Sequence, residues 1–241
     1  MNIHSVGMTD KGARRSNNED AFVILANERY CSVADGMGGA AAGEVASKIF
    51  VDTVLELFSD ITSQSEQEVD STIREAFLQG NERIILSAKA NPSYEGMGCT
   101  AEVIAFFDER YTIGHVGDSR TYLFRGGELS QITKDHSYVQ HQVDQGLISA
   151  EEARTHTMKN VVLRALGIDE SLSLDIIRGR VLPGDIYLLC SDGLSDMLSD
   201  STIVDVLETS FVLEQKVDML IKGAIAAGGK DNVTVVLCQA D

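Results

Sequence analysis

Four apolar segments follow one another at about residues 98–107, 110–117, 119–125 and 128–133, joined by links as short as "DER" and "RGG". A parallel crossover needs a dozen or more residues, so strands joined this closely run antiparallel. This excludes an alternating βαβ chain and sets the class as α+β. Residues 20–26 and 29–34 read as two more strands across a short turn, and further strands are predicted at about 172–181, 185–191 and 232–238. Val45, Ile49, Phe50, Val54, Leu57 and Phe58 share one helical face. Val69, Ile73, Phe77, Ile84 and Ala88 share another, over about 67–89. Shorter helices are expected near 201–209 and 214–227.

Residues 134–160 break the strand pattern. They are polar, hold three of the five histidines, and contain "SAEE", a capping box with Ser149 as N-cap and Glu152 three positions on. They read as short helices outside the main core. At 44% hydrophobic over 241 residues the chain can bury a full core. Two prolines leave no room for a proline-rich linker, so one compact domain spanning 1–241 with a protruding insertion is expected.

Composition narrows the function. The apolar runs are all shorter than the ~18 residues of a membrane span, and the N-terminus lacks the features of a secretory signal. Cysteines 31, 99, 190 and 238 are scattered without a CxxC pair, which predicts buried reduced thiols and a cytoplasmic location. The net charge of −17, from 37 acidic and 20 basic residues, repels phosphate backbones and argues against nucleic-acid binding. The excess acid reads either as a solvated face or as carboxylates placed for divalent cations.

Two apolar runs, "YCSVADGMGG" at 30–39 and "YLLCSDGLSD" at 187–196, both lead into Asp-Gly. Asp-Gly between strands is a hairpin turn. Here a glycine-rich, then helical stretch follows the first and "LSDMLSDST" the second, so both read as strand-to-loop-to-helix junctions. "GMGGAA" fits a dinucleotide fingerprint, but Asp35 would face the pyrophosphate and no parallel unit follows. "GGKDN" at 228–232 lacks the upstream glycine of a P-loop and carries Asp231 at its Ser/Thr position.

Other acids occupy similar places. Glu19 and Asp20 open a strand, Asp118 lies between two, and Asp231 precedes the last. Strand starts and ends of an antiparallel sandwich share a rim, so these acids can converge. Two unit charges ~4 Å apart repel by about 4 kcal/mol at an effective dielectric near 20, which cations relieve. An oxygen-only ligand set suits magnesium or manganese better than zinc. Two such ions, about 3.5–4 Å apart, hold a shared water as hydroxide and clamp a phosphoryl oxygen. The chemistry this implies is hydrolysis of a phosphate ester.

Taken in order, "RRSNNED", "VADGMGG", "GCTA", "GHVGDSR", "ITKDHS", "NVVLRALG", "LLCSDGLSD" and "GKDNVTVV" resemble the motifs of the PPM metal-dependent Ser/Thr protein phosphatases, type 2C, in their bacterial form. The resemblance covers nearly the whole chain. It implies an antiparallel β-sandwich flanked by helices on both sides (four layers, α-β-β-α), with 134–160 as a helical flap that influences substrate choice. It implies that Asp35 bridges two Mn²⁺ or Mg²⁺ ions, that the Gly36 carbonyl binds one, and that Asp192 and Asp231 bind the other. Asp20, and more loosely Glu19, would hold metal-bound waters. A weaker third ion would use Asp118 with help from Asp192, and Asp196 is a further candidate there. Arg15, five residues before Asp20, matches the phosphate-gripping arginine, a task suited to a planar guanidinium fork. Arg14 is the alternative.

The chain departs from the family pattern at Met37, where some members carry a histidine that protonates the leaving group. Metal-bound water, His136 and His156 are the remaining candidates. Cys31 and Cys190 lie inside apolar strands and do not fit a nucleophile. The expected protein is therefore a monomeric signal-transduction phosphatase that opposes a Ser/Thr kinase on phosphorylated protein substrates. The rivals are a silent relative that binds phosphoproteins without cleaving them, and a phosphatase dedicated to a phosphorylated anti-sigma antagonist.

Overall fold

A computed structural model describes residues 2–25, 28–59 and 65–241. Among them the strands are β1 (Ile3–Asp10), β2 (Asp20–Ile24), β3 (Tyr30–Met37), β4 (Gly98–Cys99), β5 (Ala101–Phe107), β6 (Arg110–Val116), β7 (Arg120–Arg125), β8 (Glu128–Gln131), β9 (Asp175–Arg180), β10 (Ile186–Cys190) and β11 (Val233–Ala240). The helices are α1 (Gly39–Ser59), α2 (Glu66–Ala90), α3 (Tyr138–Asp144), α4 (Ala150–Thr155), α5 (Asp192–Ser195), α6 (Asp200–Leu207) and α7 (Leu213–Ala226). A Ser65–Glu68 capping box starts α2. None of the described helices is long and apolar enough to cross a membrane.

The strands form two sheets, in the orders β1-β11-β10-β7-β8 and β2-β3-β5-β6-β9, with β4 paired to β3. Every pairing is antiparallel. Side-chain alternation along the strands separates three apolar layers. On β5, Val103 and Ala105 join Phe50 of α1 and Phe77 of α2, while Ile104 and Phe106 point at the other sheet. On β10, Leu188 and Cys190 join Leu220 and Ile221 of α7, while Tyr187 and Leu189 meet Ile104 and Phe106 between the sheets. The layers are therefore helix, sheet, sheet, helix. With both faces covered, a central strand has no solvent side, which explains runs such as "IYLLC", and "VTVVLC" with Thr234 as its one polar residue. The four cysteines are free and buried, as expected.

The structure corrects the sequence reading in places. β1 escaped prediction because, of its residues, only Ile3 and Ser5 are buried, and its partner β11 lies at the far end of the chain, from Ile3↔Ala240 to Asp10↔Val233. The predicted strand 98–107 breaks at Thr100. β3 does not stop at Asp35, since Gly36 and Met37 continue the ladder opposite Cys99 and Gly98; the first Asp-Gly is inside a strand, not in a loop. The last residue of the predicted strand 20–26 lies outside the described residues. Helices α3 and α4 bury only Val139 between them, so the 134–160 segment adds little to the core.

Phe50 is fully buried and packs edge-on against Phe77, with ring centroids 5.1 Å apart. Phe50→Ala should cost about 3–5 kcal/mol, measured from the shift in urea midpoint at constant m-value. A loss below about 1 kcal/mol would show that the α1–α2 layer collapses around the cavity.

Candidate metal centre

The ladder between β2 and β3 sets Asp20 directly opposite Asp35. Asp118 lies in the turn from β6 to β7, Asp192 just after β10 and Asp231 just before β11. The glycines of the two Asp-Gly pairs explain how these segments approach one another. A Cβ on Gly36 would lie 2.2 Å from the Gly43 carbonyl oxygen and 2.5 Å from that of Glu19. A Cβ on Gly193 would lie 1.8 Å from the Asn232 carbonyl oxygen. The backbone at Gly36 presses against those of Gly43 and Glu19, and that at Gly193 against Asn232, next to Asp231, so neither position has room for a side chain.

Asp35, Gly36, Asp118, Asp192 and Asp231 line one cavity of about 570 Å³, together with Arg14, Arg15, Glu19 and Met37. Asp20 lies buried behind it. The hydroxyls of Ser191 and Thr234 each donate to Asp20 Oδ2 at 2.7 Å, while Oδ1 is buried with no hydrogen-bond partner. A neighbouring cavity of about 380 Å³ shares Asp118 and Asp192 and adds Asp196. There Lys159 pairs with Asp196.

Burial, followed by the surrounding carboxylates, pushes Asp35 and Asp192 well above the usual carboxylate range. Burial and the nearby Asp231 raise Asp20 to about 6. Burial and the nearby Asp135 raise Asp118 to about 7. Among the described residues no three carboxylate, imidazole or thiolate groups close around a single point; the acids ring the cavity. An all-oxygen donor set, an orphaned buried carboxylate oxygen and mutual destabilisation of the anions all fit hard divalent cations.

Arg15 reaches into this acid ring, and its Nη2 donates to Asp231 Oδ2 at 2.6 Å. The predicted phosphate-gripping residue thus pairs with a predicted metal ligand. Neither His136 nor His156 lines either cavity. His136 is buried, its Nδ1 accepts from the Gly117 N–H at 3.1 Å, and burial with the adjacent His115 pushes it down to about 4. His156 Nδ1 accepts from the Met158 N–H at 3.1 Å.

Several supporting residues went unseen in the sequence. The Asn232 side chain accepts from the Glu19 N–H at 2.8 Å and donates to the Lys11 and Asn17 carbonyls at 3.0 and 2.9 Å, sewing the Arg15 loop to β11. Thr100 Oγ1 accepts from the Asp35 N–H at 3.0 Å and bonds Ser119 at 2.7 Å. Ser191 and Asn232 each adjoin a motif aspartate, the one local signal that could have found them.

The family model described as protein phosphatase 2C matches residues 10–236. This chain belongs to the protein phosphatase 2C family. It is 43% identical over 232 residues to the serine/threonine protein phosphatase PstP of Mycobacterium tuberculosis, covering 96% of this chain and 44% of PstP. The chain therefore spans less than half the length of that relative. It is 35% identical to the serine/threonine phosphatase stp of Listeria monocytogenes, covering 99% of this chain and 96% of stp. The crystal structure of the PstP catalytic domain in complex with two manganese ions matches with a TM-score of 0.89 at 39% identity, covering 99% of both chains. The helix-flanked double sheet of this protein phosphatase 2C member is thus the architecture of that solved relative.

The raised carboxylate at Asp20 has a consequence for the metal-free protein. A carboxyl group whose pKa is about 6 when folded and 3.8 when unfolded binds more protons in the native state, so its contribution to stability falls as pH rises through that window. With EDTA present, the Tm of Asp20→Asn minus that of wild type should grow from pH 4 to pH 7. A difference that stays flat across this range would show that Asp20 is not held against its charge.

Proposed function

We propose that this chain is a divalent-metal-dependent phosphatase that removes phosphate from phosphoserine and phosphothreonine on proteins. The observation carrying this reading is the cavity lined by Asp35, Asp118, Asp192 and Asp231, with Arg15 at hand to meet an anion. PstP and stp, named as serine/threonine phosphatases, and the two manganese ions in the PstP domain support it.

In this reading Asp35, the Gly36 carbonyl, Asp192 and Asp231 hold two Mn²⁺ or Mg²⁺ ions. Asp20 and Glu19 orient water, and Asp118, Asp192 and Asp196 offer a weaker third place. When bound, such ions supply Lewis-acid charge at phosphoryl oxygens and lower the pKa of water at the site. The protein's own part is positioning. Arg15 is half exposed and can swing from Asp231 to two phosphoryl oxygens, freeing Asp231 for a cation. Asp20 is gripped by two hydroxyls through Oδ2, which leaves Oδ1 without a hydrogen-bond partner. Burial drives the Cys31, Cys99 and Cys190 thiols upward, so transfer of phosphate to a protein thiol is disfavoured. The chain works as one catalytic domain, with 134–160 as its flap. It acts as a cytoplasmic monomer, in signal transduction, on proteins phosphorylated by a Ser/Thr kinase.

Hydrolysis of p-nitrophenyl phosphate should vanish in EDTA, return with Mn²⁺, and fall more than about 100-fold in Asp192→Ala. Activity that survives EDTA would refute the metal reading. A charge-assisted hydrogen bond is worth about 1.5–3 kcal/mol, so Arg15→Ala should raise KM for a phosphothreonine peptide about tenfold or more. An unchanged KM would return Arg15 to the role of a surface partner for Asp231.

A further inference from the structure

Glu102 of β5 and His115 of β6 stand opposite each other in the sheet, both side chains wholly buried, with His115 Nδ1 bonded to Glu102 Oε1. Neither lines the catalytic cavity. Ile104 and Phe106, on the same face of β5, project between the sheets, so the pair lies in that layer. Thr121 of β7, in the other sheet, donates to Glu102 Oε2 at 2.7 Å. Burial opposes charge on the imidazole, but the Glu102 carboxylate and the Lys134 carbonyl outweigh it and push His115 up to about 9. A buried ion pair adds little stability over apolar residues of similar size. Its presence in this dry layer calls for another role.

The bonds lead to the 134–160 segment. His115 donates from Nε2 to the carbonyl of Lys134, the first residue of that segment, at 2.9 Å. Burial pushes Glu102 up as well, but whichever partner carries the proton between Nδ1 and Oε1, Nε2 keeps its own and donates it to Lys134. The His136 ring lies 4.5 Å from that of His115. The His136 N–H donates to the Gly117 carbonyl at 2.7 Å, and the Gly117 N–H donates to His136 Nδ1 at 3.1 Å. With Nδ1 accepting, the neutral His136 ring keeps its proton on Nε2, which faces Asp175 Oδ2 at 3.2 Å and Arg164 Nη1 at 3.0 Å. The returning leg arrives at the same place, since the Leu163 N–H donates to the His136 carbonyl at 2.7 Å and Arg164 pairs with Asp175 at 3.3 Å. Both ends of the segment are thus fastened where His115 holds it. Near its far end, Asn160 and Val162 line the cleft.

We propose that the Glu102–His115 pair is a positioning device, which fixes the hinge of the flap at Lys134 and so sets how protein substrates are held, without touching the phosphoryl group. The proposal rests on the phosphatase reading above, and two variants test it. Glu102→Gln keeps the bonding: its amide can donate to Nδ1, its oxygen can accept from Thr121, and neutral His115 still donates to Lys134. Glu102→Leu combined with His115→Leu removes the pair as a unit and leaves the Lys134 carbonyl without its donor.

Steady-state kinetics with Mn²⁺ should show KM for phosphorylated casein raised about tenfold in the double variant and within about twofold of wild type in Glu102→Gln. With p-nitrophenyl phosphate, too small to need the flap, kcat/KM should stay within about twofold in both. Amide hydrogen exchange over 137–160 should quicken about tenfold or more in the double variant, with β5 and β6 unchanged. An unaltered casein KM, an equal loss with both substrates, or a Gln variant as impaired as the double would overturn the proposal. So would loss of cooperative unfolding in the double variant, since the pair would then hold the core rather than the flap. Wild-type protein without Mn²⁺-dependent p-nitrophenyl phosphate hydrolysis would instead sink the phosphatase reading, and hydrogen exchange would still decide whether the pair fastens the segment.

Discussion

Asp20 and Asp35 face each other across two hydrogen-bonded strands, a placement that costs energy in any antiparallel sheet. The surroundings tolerate it without removing it. Ser191 and Thr234 satisfy one oxygen of Asp20 and leave the other bare, while Thr100 ties down the Asp35 backbone. Glycine at 36 and at 193 lets the acid-bearing backbones approach more closely than any side chain would allow. Stability comes from elsewhere, namely the apolar layers on both faces of both sheets. A local arrangement this unfavourable persists only where the rest of the fold over-determines it.

Much of the fold was legible because the central strands of these sheets have no wet face. Strand 186–190 announces itself as an unbroken apolar run, 101–107 and 233–240 as runs interrupted only by Glu102, Thr234 and Gln239, and the short links between β5 and β8 force their direction. The same logic hides β1, a half-polar edge strand whose one sheet partner among the described residues, β11, lies more than two hundred residues away. It also hides the continuation of β3 through Asp35, which depends on Gly98 and Cys99, some sixty residues away. At the site, Asp35 and Asp192 stood out by their place after apolar runs and before glycine, and Asp20, Asp118 and Asp231 by their place at the ends of strands. Thr100 did not, because its bond to Asp35 joins residues remote in sequence, and Asn232 is marked only by its place beside Asp231, not by its bond to Glu19.

The histidines show the limit of reading residue type alone. His136 lies in a motif and was a candidate acid, yet both its nitrogens are committed to holding structure and it lies off the cavity. His115, within "GHVGDSR", carried no signal of its own, although through Glu102, which bonds Thr121 of the other sheet, it ties both sheets to the start of the 134–160 segment. The two cavities share Asp118, Asp192 and Asn160, so the posture of that segment and the surroundings of the acids cannot vary independently.

The N-terminal loop and β1 are sewn to the last strand, through Asn232 and along the whole β1–β11 ladder. Asp10 stands opposite Val233 in that ladder, so the loop carrying Arg15 and the segment carrying Asp231 meet through a contact between residues more than two hundred positions apart. The rim of acids therefore forms only after the chain has closed on itself, a non-local step of the kind that is slow in folding.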